Sequence, residues 1–111
     1  MRRGLEPSDL GDLFEQPLAA VLSIALADGS VFSRPVWHRW IDGKFVFMFP
    51  AGDRKISMLR RDPRATVVLA ENAFPYRAIE VRGPYMSDEP GMIGELEAEI
   101  TNCWDYADGF R

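Results

Sequence analysis

A chain of 111 residues, 47% of them hydrophobic, is sized for one globular domain spanning 1–111 and is too apolar for a disordered one. Its net charge of −4 excludes a global positive field, so neither nucleic acid nor an anionic membrane is an expected partner. The single cysteine, Cys103, excludes an internal disulfide and suits a reducing cytoplasm, and no apolar run approaches the ~20 residues needed to cross a bilayer.

The chain opens with Met1-Arg2-Arg3-Gly4, a basic start followed by Glu6, Ser8 and Asp9 rather than an apolar core, so it does not read as a secretory signal. Leu10, Leu13 and Phe14 share a helical face after Pro7, which predicts a short amphipathic helix over Ser8 to Gln16 with Ser8 as its cap. Three apolar runs follow: Leu18 to Ala27, Val31 to Ile41 and Lys44 to Phe49. Asp28-Gly29 and Asp42-Gly43 separate them, and both pairs are strong hairpin signals, so the prediction is a three-strand meander. Phe45-Val46-Phe47-Met48-Phe49 is apolar at every position and should be covered on both faces, by the barrel interior on one side and a helix or second subunit on the other.

Asp53 to Arg61 reads as a short helix with Ile56 and Leu59 inward, ended by Asp62-Pro63. Ala65 to Ala70 and Tyr76 to Gly83 read as strands joined by the loop Asn72 to Pro75. Met92, Ile93, Leu96, Ile100 and Cys103 or Trp104 then suggest a final amphipathic helix, with Glu95, Glu97 and Glu99 spread around it as solvated surface. Mostly antiparallel strands with few helices predict a small closed or half-closed β-barrel.

The sequence offers little for hydrolysis or metal catalysis. His38 is the only histidine, it lies far in sequence from Cys103, and no zinc-ligand spacing or nucleophile elbow is present. The informative stretch is Phe49-Pro50-Ala51-Gly52-Asp53-Arg54-Lys55, where a strand end, a glycine loop and a helix start carry two adjacent cations. A helix N-terminus attracts phosphate, Arg54 can grip it in bidentate fashion, and Lys55 adds a point charge. Arg60 and Arg61, about two turns on, could extend that basic surface. By spacing alone, a solvated helix capped by Asp53 is the simpler account. The second candidate is Ser33-Arg34-Pro35-Val36-Trp37-His38-Arg39-Trp40, where Pro35 argues for an edge or locally irregular strand with backbone groups free for a flat heterocycle. His38 reads equally as a packed, hydrogen-bonded histidine.

Five segments, in order and at suitable separations, carry a family resemblance: Ala27-Asp28-Gly29-Ser30, Arg34-Pro35-Val36-Trp37, Gly52-Asp53-Arg54-Lys55, Leu59 to Arg64, and Pro75-Tyr76-Arg77 with Glu80-Val81-Arg82-Gly83. Together they resemble the pyridoxamine 5′-phosphate oxidase-like, FMN-binding split-barrel superfamily, closest to its flavin- and deazaflavin-dependent oxidoreductases. The resemblance implies an antiparallel, Greek-key-like split barrel and a homodimer with cofactor at the subunit interface. It places the isoalloxazine along Arg34, Pro35, Val36 and Trp37, with Phe49 and Pro50 against the cofactor. Its phosphate falls on Asp53, Arg54 and Lys55, with Arg60 as an addition, and these residues then outweigh the solvated-helix account.

Two departures accompany the resemblance. The family usually carries Ser or Thr where Asp53 stands, and a carboxylate beside a phosphate is repulsive unless it points away, caps the helix or pairs with Arg54. Members also run past the last helix into a final strand, whereas this chain stops at Arg111. The resemblance implies an FMN-dependent oxidoreductase acting on a small-molecule substrate. The alternatives are coenzyme F-420 held by Arg54, Lys55, Arg60 and Arg61, and a non-catalytic flavin- or haem-binding protein in which His38 could be an axial ligand.

Overall fold

The computed structural model describes residues 1–88 and 92–109. Nine strands and one α-helix follow in order: β1 (Arg2–Leu5), β2 (Ala20–Ala25), β3 (Val31–Val36), β4 (Arg39–Ile41), β5 (Lys44–Met48), α1 (Arg54–Arg61), β6 (Arg64–Ala70), β7 (Ala78–Ser87), β8 (Ile93–Leu96) and β9 (Ile100–Asp105). Every strand pair is antiparallel. None of the described helices is long and apolar enough to cross a membrane.

Strand alternation builds the core. Ala20, Leu22 and Ile24 of β2, Ala65, Val67 and Leu69 of β6, Ile79 and Val81 of β7, and Phe45 and Phe47 of β5 all turn inward and are buried. Ile56 and Leu59 of α1 join them, as the helix periodicity predicts.

Both Asp-Gly turns form. Asp42 and Gly43 take φ of 52° and 77°, the paired positive values of a tight hairpin turn. The meander does not form, because the expected second strand is two. β3 pairs with β2, β4 pairs with β5, and nothing pairs β3 to β4. The sheet runs β3-β2-β6-β7-β8-β5-β4, so its two end strands are consecutive in the chain and are linked only through Trp37 and His38. The barrel is therefore split at that link, and Pro35 sits on an edge strand, where its missing N–H costs no ladder bond.

The expected N-terminal helix is instead two 3₁₀ turns, Pro7–Leu10 and Leu13–Glu15, with Glu6 rather than Ser8 at the N-cap of the first and Asp12 at that of the second. Gly11, at φ 57°, interrupts any continuous helix there. The apolar face was nonetheless placed correctly, for Leu10 and Leu13 are fully buried. The expected strand Tyr76 to Gly83 starts two residues later, because Tyr76 takes φ 59°, and runs on to Ser87.

The largest correction concerns residues 92–104. No helix forms there; Ile93–Leu96 is β8, and Ile100–Asp105 is β9, which pairs with both β1 and β7. The terminal helix on which the missing-strand expectation rested is absent. Gly94 and the run Thr101-Asn102-Cys103-Trp104 carry poor helix propensity, and sheet partners decided the outcome. Glu95 and Glu97 are not independent surface charges either: both meet Lys44 Nζ, at 3.0 and 2.9 Å.

Two buried carboxylates tie the ends of the fold. Arg77 holds Glu71 in a two-pronged pair and also reaches the Leu10 carbonyl and Asp12, at 2.7 Å each. Asp105 is gripped by Arg2 and by the Ala107 N–H. Hydrogen bonds from Arg77 and Arg2 respectively hold Glu71 and Asp105 at about 2, against 4.5 and 3.8 ordinarily. Because both values are depressed on folding, their stabilisation is present above pH 4.5 and is lost as pH falls toward about 2. Thermal unfolding by circular dichroism should therefore show a midpoint that is steady above pH 4.5 and drops steeply between pH 4.5 and about 2. A midpoint independent of pH across this window would contradict the assignment.

Candidate functional site

The split between β3 and β4 opens onto the outer face of β5 and β8. The inward register of Phe45 and Phe47 turns Met48 outward beside its ladder partner Ile93, and these are 73% and 44% exposed. Trp37, at the split itself, is 74% exposed.

Three shallow depressions share walls here. The first, about 280 Å³, lies between Trp37, His38, Met48 and Ile93. The second, about 290 Å³, adds Phe49, Pro50 and Met92 to Met48 and Ile93. The third, about 310 Å³, runs from Met92 to Gly52, Asp53, Ser57 and Arg60. In sequence they form one trough, apolar and aromatic at the split and polar at the start of α1.

At the polar end Asp53 caps α1. Its carboxylate accepts the Lys55 N–H at 2.9 Å and lies 3.1 Å from Lys55 Nζ. Partial burial opposes the Asp53 charge, but the Lys55 N–H and ammonium outweigh it and hold the carboxyl below its usual range. Lys55 Nζ also lies 5.2 Å from the centre of the Phe49 ring. Arg54 is exposed and makes no ion pair among the described residues. Arg61 turns away and donates to the Ala25 carbonyl at 2.7 Å.

At the apolar end His38 Nε2–H donates to the Leu18 carbonyl at 3.1 Å, leaving Nδ1 buried without a partner among the described residues. Burial lowers the His38 pKa against the opposing pull of that carbonyl, so the ring stays neutral at neutral pH. Among the described residues no group of acidic, histidine or cysteine side chains could hold a metal ion.

The trough brings together Trp37, Phe49, Pro50, Asp53 and Arg60 of the sequence candidates. It does not gather all of them, and Arg54 and Lys55, though next to Asp53, are not among its walls. Val36 is buried in the core, Pro35 faces solvent, and the Arg34 guanidinium lies 4.2 Å over the Phe32 ring. The sequence reading missed Met48, Met92 and Ile93 as walls. The signal for the last two was Gly94, which costs about 1 kcal/mol in a helix interior and closely faces the Tyr85 ring in the sheet.

No family model matches the chain, and no curated protein does. Solved structures do. A conserved hypothetical protein from Mycobacterium tuberculosis superposes with a TM-score of 0.75 at 19% identity, covering 92% of this chain and 86% of that one. The chain has the pyridoxamine 5′-phosphate oxidase-like split-barrel fold. Other split barrels similar to it include a FAD-binding protein of Mesorhizobium loti, with a TM-score of 0.74 at 16% identity over 92% of this chain and 93% of that one. An F420 reductase matches with a TM-score of 0.67 at 18% identity, over 81% and 93% of the two chains.

Proposed function

We propose that this split barrel binds a flavin in the trough, at the interface between two copies of the chain, and acts as an oxidoreductase on a small molecule. The carrying observation is the continuity of the trough from the exposed indole of Trp37 to the cationic start of α1. A flat heterocycle stacks on apolar and aromatic walls, while a phosphate needs cations one ribityl length away. The similar FAD-binding protein and F420 reductase make the reading economical. A bound flavin supplies the hydride or electron transfer; the chain's own residues position it and exclude water.

The residues fit in part. Trp37, Met48 and Ile93 offer the ring an apolar face, Arg60 lines the polar end, and Arg54, exposed beside Asp53 but outside that lining, adds a second cation at the head of α1. A second copy supports the reading, because Trp37, Ile41, Met48, Met86 and Ile93 are exposed apolar side chains on the β4, β5, β7 and β8 side, interspersed with the Lys44–Glu95 ion pair. F-420 is the alternative cofactor, and Arg61, held on Ala25, is turned away from its acidic tail.

Riboflavin, FMN and FAD are titrated against the protein, following tryptophan quenching and the visible spectrum. Binding of at least one flavin and a dimer by light scattering are expected. Arg54→Ala should weaken the phosphate-bearing flavins about tenfold and leave riboflavin unchanged. Failure of all three to bind would sink the proposal. A bound flavin that no reductant or electron acceptor can cycle would keep the site and remove the catalysis.

A further inference from the structure

We infer that the chain carries a second small-molecule site, a cleft at the seam of β1 and β9 that takes a flat aromatic monocarboxylate on Arg3, Trp40 and Trp104. The inference is independent of the flavin reading, because among the described residues the cleft shares no wall with the trough.

The cleft follows from how β1 meets β9. Arg2 lies opposite Asp105 and Leu5 opposite Cys103, so three steps along β1 match two along β9 and one residue is extra. Such a bulge interrupts the ladder and re-aims the side chains beside it. Gly4, at φ 68°, supplies the backbone conformation that the break requires. The cleft measures about 800 Å³, more than twice any depression of the trough and within the range of small-molecule sites. Arg3 and Leu5 line it from β1, Trp104 from β9, Tyr106 from just beyond that strand, and Trp40 from β4. Trp104 is partly buried yet stands apart from the hydrophobic core. Trp40 is held in place by stacking on Phe14, with 4.3 Å between ring centres, so this wall is rigid before a ligand arrives.

Charge selects the polar group of the ligand. Three charged groups in the walls are already engaged. The Met1 ammonium meets Asp108 at 3.0 Å, Arg82 holds Glu80 at 3.0 Å, and the Glu6 side chain accepts the Asp9 N–H in the cap of the first 3₁₀ turn. Arg3 makes no ion pair or side-chain hydrogen bond among the described residues. Its guanidinium can grip a carboxylate in bidentate fashion. One available cation beside engaged carboxylates suits a monoanion better than a phosphate monoester, which carries about −1.5 to −2. Cys103 also lines the cleft, but burial pushes its thiol up to about 11, so it stays protonated and the site binds without covalent chemistry.

The test titrates 2-naphthoate and 2-naphthamide, alike in ring and size but not in charge, against the whole chain by calorimetry. Naphthoate is expected to bind about tenfold more tightly than the amide. Arg3→Gln should weaken naphthoate about tenfold and leave the amide unchanged. Arg3 is exposed, so this variant should fold as the wild type does. Trp104→Ala should weaken both probes, and Met48→Ala, on the wall of the trough, should weaken neither. The inference is overturned if naphthoate does not bind, binds no better than the amide, ignores Arg3→Gln, or is weakened by Met48→Ala. None of these results bears on flavin binding, which is read from the trough by its own titration.

Discussion

Arg77→Ala is expected to destabilise the fold by about 3–5 kcal/mol, the range measured when one partner of a buried ion pair is removed. The Glu71 side chain is only 4% exposed, and Arg77 supplies it with Nε, Nη2 and its own backbone N–H. The same guanidinium holds the Leu10 carbonyl and Asp12, which fixes the 3₁₀ turns whose Leu10 and Leu13 close one side of the core. Truncation therefore strands a buried carboxylate and releases an element together. Adding Glu71→Gln to Arg77→Ala should restore a substantial part of the loss, because a neutral amide tolerates burial and still accepts the residue-77 N–H. Urea unfolding of the wild type, the single variant and the double variant checks this. A single variant within 1 kcal/mol of wild type, taking roughly that as the limit for an exposed pair, would show that the cluster is ordinary surface electrostatics.

Gly83→Ala should be the other large perturbation, costing about 3 kcal/mol. A Cβ at Gly83 would lie 1.8 Å from the Glu97 carbonyl oxygen, 2.9 Å from its carbon and 3.0 Å from the Glu99 nitrogen. These are backbone atoms, so no side-chain rotation relieves the clash. They are also held in place: Glu97 N–H donates to the Pro84 carbonyl and Glu99 N–H to the Arg82 carbonyl, each at 2.9 Å. The strain falls where β7 leaves β6 and β9 and turns to pair with β8. Gly29 is the natural control, with open space at its Cβ position and only a positive φ to satisfy. Gly29→Asn, a residue that tolerates that conformation, should stay within about 1 kcal/mol of wild type. Equal melting temperatures for Gly83→Ala and Gly29→Asn would refute the close-approach argument.

Much of the local structure is legible in the residues. Asp28-Gly29 and Asp42-Gly43 mark their turns because few residues other than glycine tolerate the required φ. Ile56 and Leu59 follow from helical periodicity, and Asp53 from its place as a cap. Of the candidate residues, Trp37 was legible at the aromatic end and Asp53 and Arg60 at the polar end, and these residues, distant in the chain, line depressions joined through Met48, Ile93 and Met92.

What only the tertiary structure decided is which groups are already engaged and which strands exist at all. Residues 92–104 carry apolar positions compatible with a helix, and they are strands because β5 and β7 present open ladders that those backbones complete. Arg61 and Lys55 look like equal members of a basic cluster, yet one is directed to Ala25 and the other to Asp53. Sequence determines turns, periodicity and charge because those depend on neighbours in the chain. Pairing depends on partners far along it, and no local pattern records which distant group reaches a donor first.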